Sequence, residues 1–131
     1  MSAPKALSSI RVLVAEDDDL LRRLLEKSLP AYGYEVTLVA DGRQARDHLA
    51  TQEVDVLVTD IGMPGVGGME LIRWTRANRP QIPIVAITGL DTPELVTACL
   101  ELGASRCLAK PFSMMALARA LGQLAGGAPG L

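Results

Sequence analysis

The chain has 131 residues with a formal net charge of −2, and 49% of its residues are hydrophobic, which suits one domain with a packed core. The near balance of basic and acidic residues excludes a broad basic face, so we expect no direct binding to nucleic acid. No apolar run reaches the roughly 18 residues of a membrane span, and no signal peptide is visible. Two cysteines are too few for a disulfide framework, so we expect a cytoplasmic protein that contacts no membrane.

Short apolar runs alternate along the chain with amphipathic stretches. Most of the runs are apolar on both faces, as buried parallel strands are, and they predict five strands: Ile10–Ala15, Glu35–Val39, Val54–Thr59, Ile84–Thr88 and Cys107–Ala109. The amphipathic stretches predict five helices, at about Asp19–Ala31, Gly42–Thr51, Gly68–Asn78, Pro93–Leu102 and Ser113–Leu124. Five strand-then-helix units predict an α/β domain, a doubly wound parallel sheet with helices on both faces. We expect this domain to span residues 10–125, with an N-terminal tail at 1–9 and a C-terminal tail or linker start at 126–131.

Charged and hydroxyl side chains collect where four of the predicted strands end. They are an acidic pair, a lone carboxylate, a hydroxyl and a cation: Glu16 with Asp17, Asp60, Thr88 and Lys110. Because the carboxyl ends of parallel strands meet at one edge of a sheet, we expect these groups to lie close together. Three carboxylates in a small space are costly without a cation, and hard oxygen ligands favour Mg²⁺.

Such a site permits phosphoryl transfer to a carboxylate. Mg²⁺ and the Lys110 ammonium would neutralise phosphoryl oxygens, and the Thr88 hydroxyl would donate to one of them. Asp60 stands alone opposite the acidic pair and is the natural nucleophile. Each residue also has a simpler interpretation, and Asp18 and Asp19 fit the cap and first turn of the following helix better than a metal site. The coincidence at four strand ends is what indicates a site.

Four segments resemble the receiver domain of two-component response regulators. They are VLVAEDD at Val12–Asp18, TDIGMPGVGG at Thr59–Gly68, AITG at Ala86–Gly89 and LAKPF at Leu108–Phe112. The segments occur in the family's order and spacing, and the resemblance covers roughly residues 10–124. It implies a flavodoxin-like fold whose five parallel strands lie in the order 2-1-3-4-5.

The resemblance also implies how the acidic residues act. Asp60 would accept a phosphoryl group from a histidine kinase or a histidine phosphotransfer protein. Asp17, Asp60 and the backbone carbonyl of Gly62 would ligate Mg²⁺, with Glu16 acting through water. The domain would catalyse its own phosphorylation and act as a switch, not as a turnover enzyme.

The same resemblance implies a conformational response, with one departure. Thr88 would move toward the phosphoryl group, Lys110 would pair with Asp60 or its phosphate, and the Lys110–Pro111 peptide would be cis. Receivers usually carry an aromatic residue three positions before the lysine, where this chain has Cys107. A thiol cannot supply the same bulky side chain, so this part of the family's switch does not carry over.

The fourth predicted helix has a wider apolar arc than one buried face requires. Receivers commonly dimerise or bind output partners through the face of the fourth helix, fifth strand and fifth helix. We expect Val96, Leu100 and Met115 to contribute to such a surface. The alternative is that these side chains pack under neighbouring loops.

Other functions stay open on the residues alone. A degenerate receiver would bind partners without phosphorylation. A phosphatase of the haloacid-dehalogenase type would need a second Asp two residues after Asp60, where this chain has Gly62. A nucleotide-binding or flavin-binding module would need a loop rich in Gly, Ser or Thr after the first strand, where this chain has acidic residues. The sequence is compatible with a stand-alone receiver and with the N-terminal part of a longer regulator.

Overall fold

The computed structural model describes residues 10–63, 65–90 and 92–125, so the predicted tails at 1–9 and 126–131 lie outside the described residues. One sheet of five parallel strands has the order β2-β1-β3-β4-β5, which confirms the predicted flavodoxin-like topology. The strands are β1 Ile10–Ala15, β2 Tyr34–Val39, β3 Val56–Asp60, β4 Ile84–Thr88 and β5 Arg106–Ala109. The helices are α1 Asp19–Ser28, α2 Gly42–Thr51, α3 Gly68–Asn78, α4 Pro93–Leu102 and α5 Met114–Leu124.

The first helix is shorter than predicted, because α1 ends at Ser28 and the chain continues as a 3₁₀ turn over Leu29–Tyr32. Pro30 has no amide hydrogen and cannot donate the next bond of an α-helix. Gly33 then takes a left-handed conformation with φ of 92° and leads into β2. The third strand starts two residues later than predicted. The Asp55 carboxylate accepts the N–H of Arg11, and the N–H of Asp55 donates to the Arg11 carbonyl, both at 2.8 Å. Because a side chain takes the place of a backbone carbonyl here, the regular ladder begins after Asp55.

Apolar side chains cover both faces of the sheet. Leu13, Leu57 and Ile84 pack on one face with residues of α2, α3 and α4. Val14, Val58 and other residues pack on the opposite face with α1 and α5. β3 and β4 are buried along their whole length, while the edge strands β2 and β5 are partly exposed. Within the described residues, no helix is long and apolar enough to cross a membrane.

Candidate functional site

The predicted acidic residues meet at the carboxyl edge of the sheet. Asp60 ends β3, and Glu16 follows β1, the strand that pairs with β3. Carboxylate oxygens of Glu16, Asp17 and Asp60 all lie within 4.8 Å of one another. Glu16 and Asp60 are buried and Asp17 is exposed, so the cluster opens to solvent on one side. These three residues, together with Lys110, are called the acidic pocket below.

Lys110 is the cation of the acidic pocket. Its Nζ lies 3.1 Å from Asp60 Oδ2 and 3.2 Å from Glu16 Oε1. Burial lowers the pKa of Lys110, but the hydrogen bonds and attraction of the two carboxylates outweigh this effect and raise the pKa above its ordinary value. The side chain is therefore charged at neutral pH. The Lys110–Pro111 peptide is cis, as the resemblance implies.

Glu16 is a fully buried acid that is fixed through both its backbone and its side chain. Its N–H donates to the carbonyl of Val39, at 3.1 Å, and its carbonyl accepts from Nη1 of Arg22, at 2.8 Å. Its Oε2 accepts from the N–H of Asp18, at 3.0 Å. These contacts place the Glu16 carboxylate beside that of Asp60.

The charge of the acidic pocket suits a hard divalent cation. Burial raises the pKa of Glu16 and the negative charge of Asp60 raises it further, while the Asp18 N–H and Lys110 lower it, which leaves a pKa of about 7. Glu16 Oε1 is buried, and within the described residues it has the ion-pair contact with Lys110 but no further hydrogen bond. One ammonium group does not neutralise three carboxylates, and oxygen donors are those that Mg²⁺ prefers. The donor set therefore fits Mg²⁺.

Asp18 and Asp19 stabilise the first turn of helix α1, as their simpler interpretation predicts. Asp18 Oδ1 accepts from the N–H groups of Leu20 and Leu21, at 2.9 and 3.4 Å, and so caps the helix. Asp19 forms an ion pair with Arg22 in the first turn. Neither carboxylate belongs to the cluster that could hold a metal.

Thr88 lies at the same edge but is turned toward its own loop. Its Oγ1 donates to the carbonyl of Leu90, at 2.7 Å, and accepts from the N–H of Leu90, at 2.9 Å. In the described part of the chain, no hydrogen bond joins Thr88 to Asp60. Gly62 does contact the acidic pocket, since its N–H donates to Asp60 Oδ1 at 3.2 Å; a metal contact by its carbonyl stays a prediction.

Cys107 occupies the position where the family usually has an aromatic residue. It lies on β5, partly buried against the apolar layer that contains Cys99. Both thiols are free, and burial raises the pKa of each. They are therefore protonated packing groups between α4 and the sheet.

Two features beside the acidic pocket were not predicted from the sequence. One is the bond from Arg22 to the backbone of Glu16, which depends on how α1 leaves the sheet. The other is an open groove of about 960 Å³ between α1 and the segment after Lys110, lined by Leu20, Leu24, Phe112 and other residues. The spacing of Leu20 and Leu24 is a signal that could have indicated it, because residues four apart share one side of a helix.

The sequence matches the family model of the response regulator receiver domain over residues 12–122. It is 38% identical to the response regulator MprA of Mycolicibacterium vanbaalenii over 105 residues. This match covers 80% of this chain and 46% of that protein. The sequence is 39% identical over 106 residues to the response regulator MprA of Mycobacterium tuberculosis H37Rv, 81% of this chain and 46% of that protein. The chain thus spans less than half the length of these curated relatives.

Solved structures agree with this match. The receiver domain of Francisella response regulator 1452 has a TM-score of 0.86 and 29% identity, covering 90% of this chain and 98% of that one. The receiver domain of sensor histidine kinase PA1611 from Pseudomonas aeruginosa, solved with a magnesium ion in its active-site cleft, has a TM-score of 0.84 and 33% identity, covering 92% of this chain and 100% of that one. On the family match, the sheet order and the acidic edge together, the chain belongs to the response regulator receiver domain family.

Proposed function

We propose that this receiver domain accepts a phosphoryl group on Asp60 in a Mg²⁺-dependent reaction and changes conformation as a result. The observation that carries the proposal is the cluster of three carboxylates within 4.8 Å, with the Lys110 ammonium 3.1 Å from Asp60. The phosphoryl donor would be a histidine kinase or a histidine phosphotransfer protein. The domain would act as a regulatory switch in the cytoplasm and would not turn over a separate substrate.

The contacts of Asp60 prepare it as the nucleophile. Gly62 donates to Oδ1 and Lys110 to Oδ2, so both carboxylate oxygens have a fixed orientation. One of these oxygens attacks the phosphorus of a phosphohistidine; the new O–P bond forms as the P–N bond breaks. The electron pair of the broken bond stays on the imidazole nitrogen, which takes a proton from solvent. The product is an acyl phosphate on Asp60.

The remaining pocket residues would neutralise charge on the transferring group. Glu16, Asp17, Asp60 and the Gly62 carbonyl would hold Mg²⁺, which would offset negative charge on the phosphoryl oxygens. Lys110, whose raised pKa keeps it charged, would pair with another of these oxygens. Neutralisation of this kind, together with positioning of the reactants, is how proteins catalyse phosphoryl transfer.

Thr88 would couple the phosphoryl group to the loop between β4 and α4. Its hydroxyl has two hydrogen bonds with the backbone of Leu90. To donate to a phosphoryl oxygen at Asp60, the hydroxyl must give up the bond to the Leu90 carbonyl. The loop would then rearrange, which would convert a local chemical event into a change next to α4.

Intact-mass spectrometry after incubation with acetyl phosphate tests the proposal. We expect the wild-type domain to gain one phosphoryl group with Mg²⁺ and none with a chelator. Asp60→Asn removes the nucleophile and should abolish the gain, while Glu53→Gln, which alters an exposed acid paired with Arg11, should not. Labelling that persists in Asp60→Asn would show that another residue is the acceptor. A wild-type domain that stays unlabelled would favour a degenerate receiver.

We also propose that the phosphoryl-donor protein docks in the groove beside Lys110. Leu20 is 75% exposed and Leu24 is 52% exposed, and both line this groove with Pro111 and Phe112. Exposed apolar side chains in a groove are typical of a protein-binding surface. The groove adjoins Lys110, so a protein seated on it would bring its phosphohistidine to Asp60.

Comparing a protein donor with a small donor tests this docking surface. Leu24→Glu should slow transfer from an autophosphorylated histidine kinase, chosen from a panel for its fast transfer to the wild type, by about tenfold or more. Labelling by acetyl phosphate should not change, because the acidic pocket is intact. Leu100→Glu on α4 introduces the same charge at another exposed leucine and serves as the control. Equal slowing in both variants would place the docking surface elsewhere.

A further inference from the structure

The side chain of Arg22 bonds to the backbone of the loop that carries the acidic pair. Arg22 reaches back from α1, and its Nη1 donates to the carbonyl of Glu16 at 2.8 Å. Its Nη2 pairs with the carboxylate of Asp19, and its side chain is only 23% exposed. The guanidinium therefore joins the first turn of α1 to the end of β1.

This contact matters most for Asp17. In the part of the chain that the structure describes, no hydrogen bond or ion pair holds the Asp17 carboxylate, whereas Glu16 is bonded to Val39, Asp18 and Lys110. The carbonyl of Glu16 and the N–H of Asp17 belong to one planar peptide group. A bond that fixes this carbonyl therefore fixes the orientation of the backbone from which the Asp17 side chain starts.

We propose that Arg22 is a positioning residue of the acidic pocket, which holds the Glu16–Asp17 peptide and so keeps Asp17 within reach of a cation bound between Glu16 and Asp60. This inference rests on the proposed function, since it concerns the same metal site. The guanidinium suits the task because two of its nitrogens reach two acceptors at once in a fixed plane. A lysine would keep the charge but lacks the rigid planar fork that holds both acceptors.

The direction in which Mg²⁺ affinity changes when Arg22 is replaced separates a positioning role from a purely electrostatic one. Removing a positive charge near three carboxylates strengthens their attraction for Mg²⁺, so a purely electrostatic role predicts tighter binding when Arg22 is neutralised. A positioning role predicts weaker binding, because Asp17 is no longer held in place. Arg23 provides a matched control: it is the next residue on α1, it is exposed, and the same charge is lost when it is changed.

We would measure Mg²⁺ affinity by calorimetry for the wild type, Arg22→Gln, Arg22→Lys and Arg23→Gln. Residues that orient metal ligands typically contribute 10–100-fold to affinity, so we expect a loss of about tenfold in both Arg22 variants. Arg23→Gln should equal the wild type or bind slightly more tightly. In the metal-free protein, hydrogen exchange at the amides of residues 16–18 should be faster in the Arg22 variants alone.

Unchanged or tighter Mg²⁺ binding in the Arg22 variants would overturn the inference. A wild-type domain that fails to bind Mg²⁺ in the same titration would instead contradict the proposed function. Circular dichroism and urea unfolding establish that each variant is folded. If Arg22→Gln does not fold, Arg22→Lys gives the same test, because it retains the charge and lacks the planar fork.

Discussion

The acidic pocket and the face of α4, β5 and α5, called the output face below, differ in how their residues are held. In the acidic pocket, Glu16, Asp60 and Lys110 contact one another and are at least partly buried. On the output face, Leu100 is 45% and Met115 61% exposed. One region is charged and mostly buried, while the other is apolar and more exposed. The difference favours chemistry in the first region, and we propose that the second region contacts output partners or another copy of the domain.

The first test of this division, and the one with the largest expected effect, is Lys110→Ala. Labelling by acetyl phosphate should slow by about 100-fold, since losing one charged donor at a reacting group costs on the order of 10²–10³ in rate. Mg²⁺ affinity should not fall, because a competing cation has been removed. Lys27→Ala, which removes an exposed charge from α1, is the control. Labelling at the wild-type rate would exclude Lys110 from the chemistry.

The second test uses the raised pKa of Glu16, about 7 in the metal-free domain. Below this pH the carboxyl group is protonated, so Mg²⁺ must displace a proton and its affinity should fall by up to about tenfold for each pH unit. Above pH 7 the affinity should level off. Titrations from pH 5.5 to about 8.5 measure this, with Glu16→Gln as a control that lacks the titrating group. The same slope in Glu16→Gln would assign the proton to another residue.

The same pKa sets the sign of the stability change in the metal-free domain. The folded state holds the Glu16 proton up to a pH of about 7, whereas the unfolded chain releases it near the ordinary glutamate pKa of 4.5. The folded state therefore binds more protons in this window, and the free energy of unfolding should fall as pH rises through it. Urea unfolding in the presence of a chelator measures this fall. It should be smaller in Glu16→Gln.

The sequence predicted the acidic pocket better than the output face, and the reason is geometric. A parallel sheet brings the carboxyl ends of its strands to one edge, so the strand-end residues Glu16, Asp60 and Lys110 could be placed together without coordinates. The bond from Arg22 to Glu16 could not be predicted from the sequence, since it depends on the angle at which α1 leaves the sheet. The exposure of Leu20 could not be predicted either, because a helix pattern does not show which residues at the margin of the apolar stripe a neighbouring element covers. For Leu100 the pattern left a contact surface and packing under a loop both open, and the structure shows the side chain exposed.

Thr88→Ala tests the link between the two regions. Labelling should change little, because the Thr88 hydroxyl is bonded to Leu90 and away from Asp60 before the phosphoryl group arrives. The response should be lost: the phosphorylation-dependent change in hydrogen exchange at Gly89 and Leu90 should disappear. Thr97→Ala, at an exposed position on α4, is the control. A response that persists in Thr88→Ala would show that phosphorylation reaches α4 by another route.

The output face itself is tested by Val96→Glu/Leu100→Glu. Val96 is partly buried, Leu100 and Met115 are exposed, and their use as a contact surface between copies of the domain stays a prediction. If the face mediates association, sedimentation of the domain with Mg²⁺ and beryllofluoride should show a larger species for the wild type and a monomer for the variant. Like charges brought together across a symmetric interface disfavour the pairing.

The two apolar surfaces give opposite controls in that experiment. Leu24→Glu places a carboxylate in the groove beside Lys110, so it should slow transfer from a protein donor and leave association unchanged. Val96→Glu/Leu100→Glu should prevent association and leave transfer from a protein donor unchanged. Neither variant should alter labelling by acetyl phosphate. Sedimentation that is the same for all three proteins would remove the output face as a self-association surface. It would leave the acidic pocket untouched, because no residue of that pocket depends on α4 for its hydrogen bonds or ion pairs in the part of the chain that the structure describes.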